Sequence, residues 1–348
     1  MTASFKVARF KAVRTDRELE CPDIDAGLVA RGVELVTLPE GIGEDALIAA
    51  LHDADLLLMC YTPITARVIE AAPKLKGIVK YGVGIDAIDI AAAIARGIPV
   101  VNVPEYAEET VAEGAFALMI ALAKKLLPIG REMDAKGWAW PTPQWLGLDL
   151  AGRTLGLVGT GRIGRSMARM AGGFRMRVIG YDPNVSRDAM RAGGQAGDIE
   201  KVDDLHVLLQ QCDIVSIHAV LNAETLDLIG ARELAAMKRT AVLINVSRGA
   251  IVNEAALVAA LREQRIAGAA LDVFAQEPLH VDHPLAALYE MDNVILFPHL
   301  TFYTQEAMAR LTEDTLARCR EILEGRPVLI KSHDPRLRAQ RQGVVFGE

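Results

Sequence analysis

Cysteine is scarce in this chain and poorly placed for cross-linking. The four residues, Cys21, Cys60, Cys212 and Cys319, are widely spaced and form no Cys-x-x-Cys pair, which argues against a disulfide framework and a cysteine-built zinc site. Cys60 and Cys212, beside apolar runs, read as buried thiols. Long hydrophobic runs are also missing. The most apolar stretch, 114–123, is far too short to cross a bilayer, and the N-terminus carries no apolar signal core with a cleavage site. A cytoplasmic location with no membrane partner is the expectation. Basic clusters are absent too: the formal net charge is −7, and Lys and Arg nowhere gather into the patch that tracks nucleic-acid phosphates. His280, Asp282 and His283 share one loop but are too few for a metal site; they read as structural, and no metal is expected.

Apolar residues and glycine are abundant, at 51% and 29 residues of 348. A chain of this length buries a sizeable core and divides into two domains. In its first part, apolar strand candidates at 33–38, 55–60, 77–79 and 100–103 alternate with helical patterns at 44–54, 65–72 and 89–96. Such alternation implies a parallel sheet covered on both faces, hence an α/β fold. A longer helical pattern runs from 108 to about 125, where Pro128 weakens it.

The stretch 154–182 organises the rest. Leu155 to Val158 form a short apolar strand that runs into Gly159, Gly161 and Gly164 at the G-x-G-x-x-G spacing. The first glycine permits a tight turn, the second lets backbone approach a pyrophosphate, and the third lets the new helix pack closely on its strand. A second strand then delivers Asp182 about 20 residues on, where a carboxylate accepts from an adenosine ribose hydroxyl. Its charge would repel a 2′-phosphate, so NAD is the expected cofactor; Arg187, a few residues later, is the one cation that argues for NADP.

After the cradle the strand–helix rhythm resumes, with strands at 213–218, 241–246, 268–273 and 293–297. Ligands of open parallel sheets sit beyond the carboxyl ends of the strands, and three polar side chains follow such ends: Arg248, Glu277 and His299. A guanidinium grips a carboxylate through two parallel bonds. A histidine held by a carboxylate is suited to protonating a ketone oxygen while a hydride arrives at its carbon. His218 ends another strand on this rim and is expected to meet the nicotinamide ribose side. Arg336, Arg338 and Arg341 lie in what reads as a solvated or subunit-crossing tail. All three tryptophans, Trp138, Trp140 and Trp145, cluster with Pro141 and Pro143 in a segment that reads as an arm burying its rings against a partner subunit.

These residues resemble the D-isomer-specific 2-hydroxyacid dehydrogenases over roughly residues 50 to 325. The match runs through Lys-Tyr-Gly-Val-Gly-Ile-Asp (80–86), Val-Pro-Glu-Tyr-Ala-Glu-Glu-Thr-Val-Ala-Glu (103–113), the glycine fingerprint, Val-Ser-Arg-Gly (246–249), Leu-Asp-Val-Phe-Ala-Gln-Glu-Pro (271–278) and Pro-His (298–299). The resemblance implies two doubly wound parallel-sheet domains, with a Rossmann nucleotide-binding domain at 108–300 inserted into a flavodoxin-like substrate domain formed by 1–107 and a returning helix at 301–330, followed by a tail at 331–348. It implies a homodimer and a small 2-hydroxy or 2-keto acid as substrate. It casts Arg248 as the substrate-orienting residue, His299 as the acid/base and Glu277 as its holder. It also places Val83 and Gly84 at the substrate carboxylate through their N–H groups, Arg162 and Ile163 at the pyrophosphate, Val246 in the cofactor site and Asp272 at the nicotinamide carboxamide.

Two departures give opposed hints about substrate. Leu-Thr-Phe-Tyr-Thr follows His299, as in the D-lactate dehydrogenase branch, so Phe302 and Tyr303 would wall an apolar pocket and Tyr106 would reach the substrate carboxylate. Lys80 instead stands where phosphoglycerate dehydrogenases carry a basic residue for a distal phosphate. Two other classes compete with a dehydrogenase: a non-catalytic NAD(H)-sensing scaffold of the same fold, and a methyltransferase using S-adenosylmethionine, which leaves the three strand-end residues without a role.

Overall fold

Short apolar runs become parallel strands in two separate sheets. The computed structural model describes residues 10–191, 198–280 and 282–347, and the chain divides into two units, Met1–Ala107 with Thr304–Glu348, and Glu108–Tyr303. In the first unit β1 (Lys11–Arg14), β2 (Glu34–Thr37), β3 (Leu56–Met59), β4 (Gly77–Lys80) and β5 (Val100–Asn102) pair in the order β2-β1-β3-β4-β5, all parallel. That is the flavodoxin-like doubly wound order. Strand β1 is absent from the pattern read along the sequence because Lys-Ala-Val-Arg holds only two apolar side chains. Ala12 and Val13 are fully buried, and Arg14 is buried as well, its charge met by Asp25 through two bonds of 2.8 and 2.9 Å.

The helix Gln305–Leu323, capped by the Thr304 hydroxyl on Ala307 N–H, packs on this unit. A Cβ added at Gly27 or Gly77 would fall 2.5 Å from Leu316 or 2.6 Å from Ile322, so two glycines make room for its apolar face.

The second unit is built on seven parallel strands: β6 (Thr154–Val158), β7 (Arg177–Tyr181), β8 (Glu200–Lys201), β9 (Ile214–Ile217), β10 (Val242–Asn245), β11 (Gly268–Leu271) and β12 (Val294–Leu296). Their order is β12-β11-β10-β9-β6-β7-β8. The direction of winding reverses between β6 and β9, the switch point at which such sheets bind nucleotides. Side chains alternate between two apolar clusters: in β10, Val242 and Ile244 join Phe116, Met119 and Met167, whereas Leu243 joins Leu208, Leu257 and Leu288. Period-two alternation puts successive side chains on opposite faces, so both faces are covered. The pattern from 108 is helix Glu108–Ala123. Lys125 then turns the chain with a left-handed φ of 52° into a second helix, Leu126–Lys136, and Pro128 sits in its first turn, where a missing N–H loses no helical bond.

The tail that carries Arg336, Arg338 and Arg341, expected to be a solvated or subunit-crossing end, docks in part on the first unit while Arg336 and Arg341 stay exposed. Residues β13 (Val328–Ile330) and β14 (Val344–Phe346) form a parallel pair, and between them Leu337 is fully buried and Gln340 is 2% exposed. The Gln340 amide accepts from Val100 N–H at 2.7 Å and donates to Val100 O at 2.9 Å. It does for β5 what a neighbouring strand would, closing an otherwise open sheet edge. A lone glutamine among arginines carries no apolar signal, so the sequence pattern hides it.

Candidate active site

Four neighbouring strands, β9 to β12, end on one rim of the second sheet, and His218, Arg248, Asp272, Glu277 and His299 follow them within a few residues. After β12 the Phe297 N–H still donates to Leu271 O at 2.8 Å, which carries the ladder up to His299. His299 itself has a left-handed φ of 56°, a conformation that costs a non-glycine residue on the order of 1 kcal/mol and persists only when its surroundings impose it. Asp272 imposes it. Its oxygens accept from Leu300 N–H at 2.9 Å, from Thr301 N–H at 3.2 Å and from the Thr301 hydroxyl. Burial pushes the Asp272 carboxyl above the usual carboxylate range, and the Thr301 bonds and the charge of His299 offset part of that. Expected at the nicotinamide carboxamide, Asp272 is fully buried here and spends both oxygens on the His299 turn.

His299 Nδ1 lies 2.7 Å from Glu277 Oε2, with side chains 24% and 28% exposed. The other Glu277 oxygen accepts from Phe274 N–H at 2.9 Å. Burial works against the Glu277 charge, but the His299 bond and charge, the Phe274 N–H and the charge of Arg248 together hold its carboxyl below the usual range. It is therefore ionised near neutrality. Glu277 occupies Nδ1, so the acid/base nitrogen is Nε2.

Arg248 is presented by a turn that Asn245 folds. The buried Asn245 amide donates to Arg248 O at 2.9 Å and its oxygen accepts from Ser247 N–H at 3.1 Å. Gly249 then passes so close to the next strand-end loop that a Cβ would fall 1.9 Å from the Phe274 carbonyl carbon. Only glycine fits, which ties the Arg248 turn to the loop bearing Glu277. Neither Asn245 nor Gly249 was singled out from the sequence; the signal was the Asn-x-x-Arg-Gly spacing after a strand.

At the switch point, Gly159 has φ +93° and a Cβ there would lie 2.6 Å from Ala219 N; one on Gly164 would lie 2.5 Å from Gly159 O. A Cβ on Gly161 would meet nothing within 4 Å. The three glycines thus differ in their surroundings: a tight turn at Gly159, open space at Gly161 and close packing at Gly164. Arg162 and Ile163 begin the helix Arg162–Gly173 behind Gly161, and N–H groups at such an end favour phosphate. The Arg162 side chain donates to Glu108 at 2.8 Å, and that of Ile163 packs against the core. Asp182 follows β7 and accepts from Thr160 N–H at 2.9 Å and Asn184 N–H at 3.0 Å.

His218 follows β9 beneath the glycine turn. Its Nε2 meets the Ser216 hydroxyl at 2.9 Å, and burial pushes its pKa down to about 4, so it is neutral at pH 7. Its Nδ1 is buried and has no partner among the described residues. An orphaned polar atom beside a glycine cradle that a Cβ would fill is what a dinucleotide site requires. Val246 is buried at the end of β10.

In the first unit, Val83 and Gly84 follow β4, and the Asn102 amide, at the end of β5, donates to Val83 O at 2.6 Å. Tyr106 is buried, and Arg310 Nε donates to its carbonyl at 2.8 Å. Lys80, which stands where phosphoglycerate dehydrogenases carry a basic residue, is buried and donates to Cys60 O at 2.6 Å and Cys60 Sγ at 2.9 Å. In the second unit the Phe302 ring stands edge-on to His299 with centroids 6.1 Å apart, and Tyr303 packs on Phe302 at 5.8 Å. His283 Nδ1 caps its own loop by accepting from Leu285 N–H. Among the described residues no group of three or more His, Cys, Asp and Glu could hold a metal ion, and no helix is long and apolar enough to cross a membrane.

A rim with a carboxylate-held imidazole, an arginine and a glycine cradle defines a nicotinamide-dependent oxidoreductase site. Residues 116–301 match the family model of the D-isomer specific 2-hydroxyacid dehydrogenase NAD binding domain. The chain is 44% identical to the glyoxylate reductase of Korarchaeum cryptofilum, over 77% of this chain and 79% of that one. With the D-3-phosphoglycerate dehydrogenase of Methanocaldococcus jannaschii it shares 37% identity over 86% of this chain and 56% of the other. The solved structure of D-lactate dehydrogenase from Aquifex aeolicus, complexed with NAD and lactic acid, superposes with a TM-score of 0.79 at 28% identity, covering 90% of this chain and 96% of that one. The chain belongs to the D-isomer-specific 2-hydroxyacid dehydrogenase family and is an oxidoreductase that uses a nicotinamide cofactor.

Proposed function

We propose that this protein interconverts a small, unphosphorylated D-2-hydroxy acid and its 2-keto acid, with His299 as acid/base, Glu277 as its holder and Arg248 as the substrate-orienting residue. The observation that carries this reading is the 2.7 Å contact between His299 and an ionised Glu277 on the rim of a nucleotide-binding sheet. When bound, the dinucleotide exchanges a hydride with C2 of the substrate. In the reducing direction His299 Nε2 gives its proton to the C2 oxygen, and Glu277 stabilises the charged ring beforehand. Arg248 pairs with the carboxylate and with the oxygen on which charge develops. The N–H groups of Val83 and Gly84 are proposed to receive the carboxylate, with Tyr106 as a further contact. The pyrophosphate is assigned to the N–H groups of Gly161, Arg162 and Ile163, and the nicotinamide ribose side to His218 and Val246.

Two observations favour an unphosphorylated acid: the burial of Lys80 against Cys60, and the edge-on aromatic pair of Phe302 and Tyr303 beside His299. The test is NADH consumption with glyoxylate, pyruvate, phenylpyruvate, hydroxypyruvate and 3-phosphohydroxypyruvate. Small or apolar keto acids should turn over fastest. NADH that binds but is consumed with none of them would instead favour the sensing scaffold.

NAD is proposed over NADP because the Asp182 carboxylate follows β7 while Arg187 is paired with Asp203 at 3.1 Å. Asp182→Ser should lower the NAD-to-NADP ratio of kcat/KM by about tenfold or more, since removing a repelled charge is worth on the order of 1.4 kcal/mol; an unchanged ratio would count against Asp182 as the selector.

A cytoplasmic homodimer joined through the tryptophan arm completes the proposal. Trp138 and Trp140 are 57% and 74% exposed in the single chain and meet edge to face with centroids 6.0 Å apart, which suits rings that bury in a partner copy. Light scattering should give twice the chain mass, and a wild-type monomer at working concentration would refute the arm.

A further inference from the structure

The two successive peptides at Phe274 bear on both working residues of the rim, one through a bond to Glu277 and the other through the turn that presents Arg248. The Phe274 N–H holds Glu277 Oε1 at 2.9 Å, and the Phe274–Ala275 peptide lies against Gly249, where a Cβ would come within 1.9 Å of Phe274 C and 2.2 Å of Ala275 N. Gly249 is the residue after Arg248. Any shift of this peptide therefore moves the anchor of Glu277 and the turn that presents Arg248 together.

The peptide is itself anchored from outside the rim. Ala275 N–H donates to Glu254 Oε1 at 2.7 Å. Glu254 opens the helix Glu254–Arg262, directly after its N-cap Asn253, so its carboxylate also sits at the favourable end of a helix dipole. Its other oxygen lies 3.6 Å from His283 Nε2, and both side chains are only 17% exposed. Because His283 Nδ1 is used as an acceptor by Leu285 N–H, the ring proton falls on Nε2, the nitrogen facing Glu254. A half-buried carboxylate on a rigid helix, walled by a histidine of the same loop, is more than a surface acid needs to be.

We propose that Glu254 is a positioning residue for this reaction: by fixing the Phe274–Ala275 peptide it holds Glu277 against His299 and keeps Arg248 in register with them. The inference rests on the dehydrogenase reading above. Displacements on the order of 1 Å around reacting groups carry large rate penalties, so a single hydrogen bond outside the site can govern the rate.

Two variants separate positioning from bulk stability. Glu254→Gln keeps an oxygen that accepts from Ala275 N–H, whereas Glu254→Ala removes it. The expected result is a fall of about tenfold in kcat for Glu254→Ala with unchanged NADH affinity, and recovery of most of that loss in Glu254→Gln. A second readout does not depend on turnover. The proton shared between His299 Nδ1 and Glu277 gives a downfield NMR resonance, assigned by its loss in His299→Ala. That resonance should weaken or move in Glu254→Ala and stay in place in Glu254→Gln. An unmoved resonance in Glu254→Ala overturns the positioning role, whether or not the protein proves to be a dehydrogenase. Equal kcat in wild type and Glu254→Ala also overturns it. Failure of the wild type to reduce any 2-keto acid overturns only the dehydrogenase reading.

Discussion

His299→Ala should lower kcat for keto-acid reduction by on the order of a thousandfold, the range in which positioned acid/base groups act, while NADH affinity stays within a factor of about two. That loss corresponds to about 4 kcal/mol of transition-state stabilisation. The asymmetry follows from the fold: His299 hangs beyond β12 and β11, whereas the glycine cradle follows β6 on the far side of β9 and β10. A loss of nucleotide binding equal to the loss of rate would mean that the substitution had damaged the sheet and said nothing of chemistry. The pH profile carries a matching signature from Glu277. Its folded pKa is depressed, so its charge is fully present above the ordinary carboxylate range and is lost only as pH falls through the lower folded value. Turnover should therefore hold into mild acid and be lost only below the ordinary carboxylate range. In Glu277→Gln, kcat should fall without that acid limb, and retention of the limb would assign it to another group.

Arg248→Ala should raise KM for the keto acid and lower kcat together, cutting kcat/KM by about a hundredfold or more. The two effects have one source. Bidentate bonds to the carboxylate hold the ground state, and the same guanidinium strengthens its bond to the C2 oxygen as charge develops there. Lysine should recover little, since a point charge cannot form the paired bonds. A variant with KM alone raised would show that Arg248 binds substrate but takes no part in the transition state. Gly249 bears on the control: because a Cβ there would lie 1.9 Å from the Phe274 carbonyl carbon, mutations must stop at 248 to test chemistry rather than backbone fit.

How much of this was readable in advance depended on whether the signal was local. The cradle was, because strand, three glycines, helix and acid follow in unbroken order from 154 to 182, and the structure gives Gly159 its positive φ and Gly164 its close approach. Arg248, Glu277 and His299 could be named because each closely follows an apolar strand. Their mutual geometry could not, since it depends on tertiary supports such as Asn245 folding one turn and Asp272 holding another. Elements whose burial rests on polar pairing stayed hidden. Strand β1 is half charged by composition and needs Asp25 to bury Arg14, and the tail reads as polar because a single glutamine amide docks it on β5. Lys80 shows the converse: a cation that suggests an anionic substrate by type is turned inward onto Cys60.

Isotope transfer tests the central claim most directly. NADH fully deuterated at C4 of the nicotinamide should be incubated with phenylpyruvate or pyruvate, and the product resolved by chiral chromatography and weighed by mass spectrometry. Direct hydride transfer onto C2 in a site of this family predicts the D-2-hydroxy acid carrying one deuterium per molecule. An L product, an unlabelled product, or NADH bound tightly with no hydroxy acid formed would contradict it.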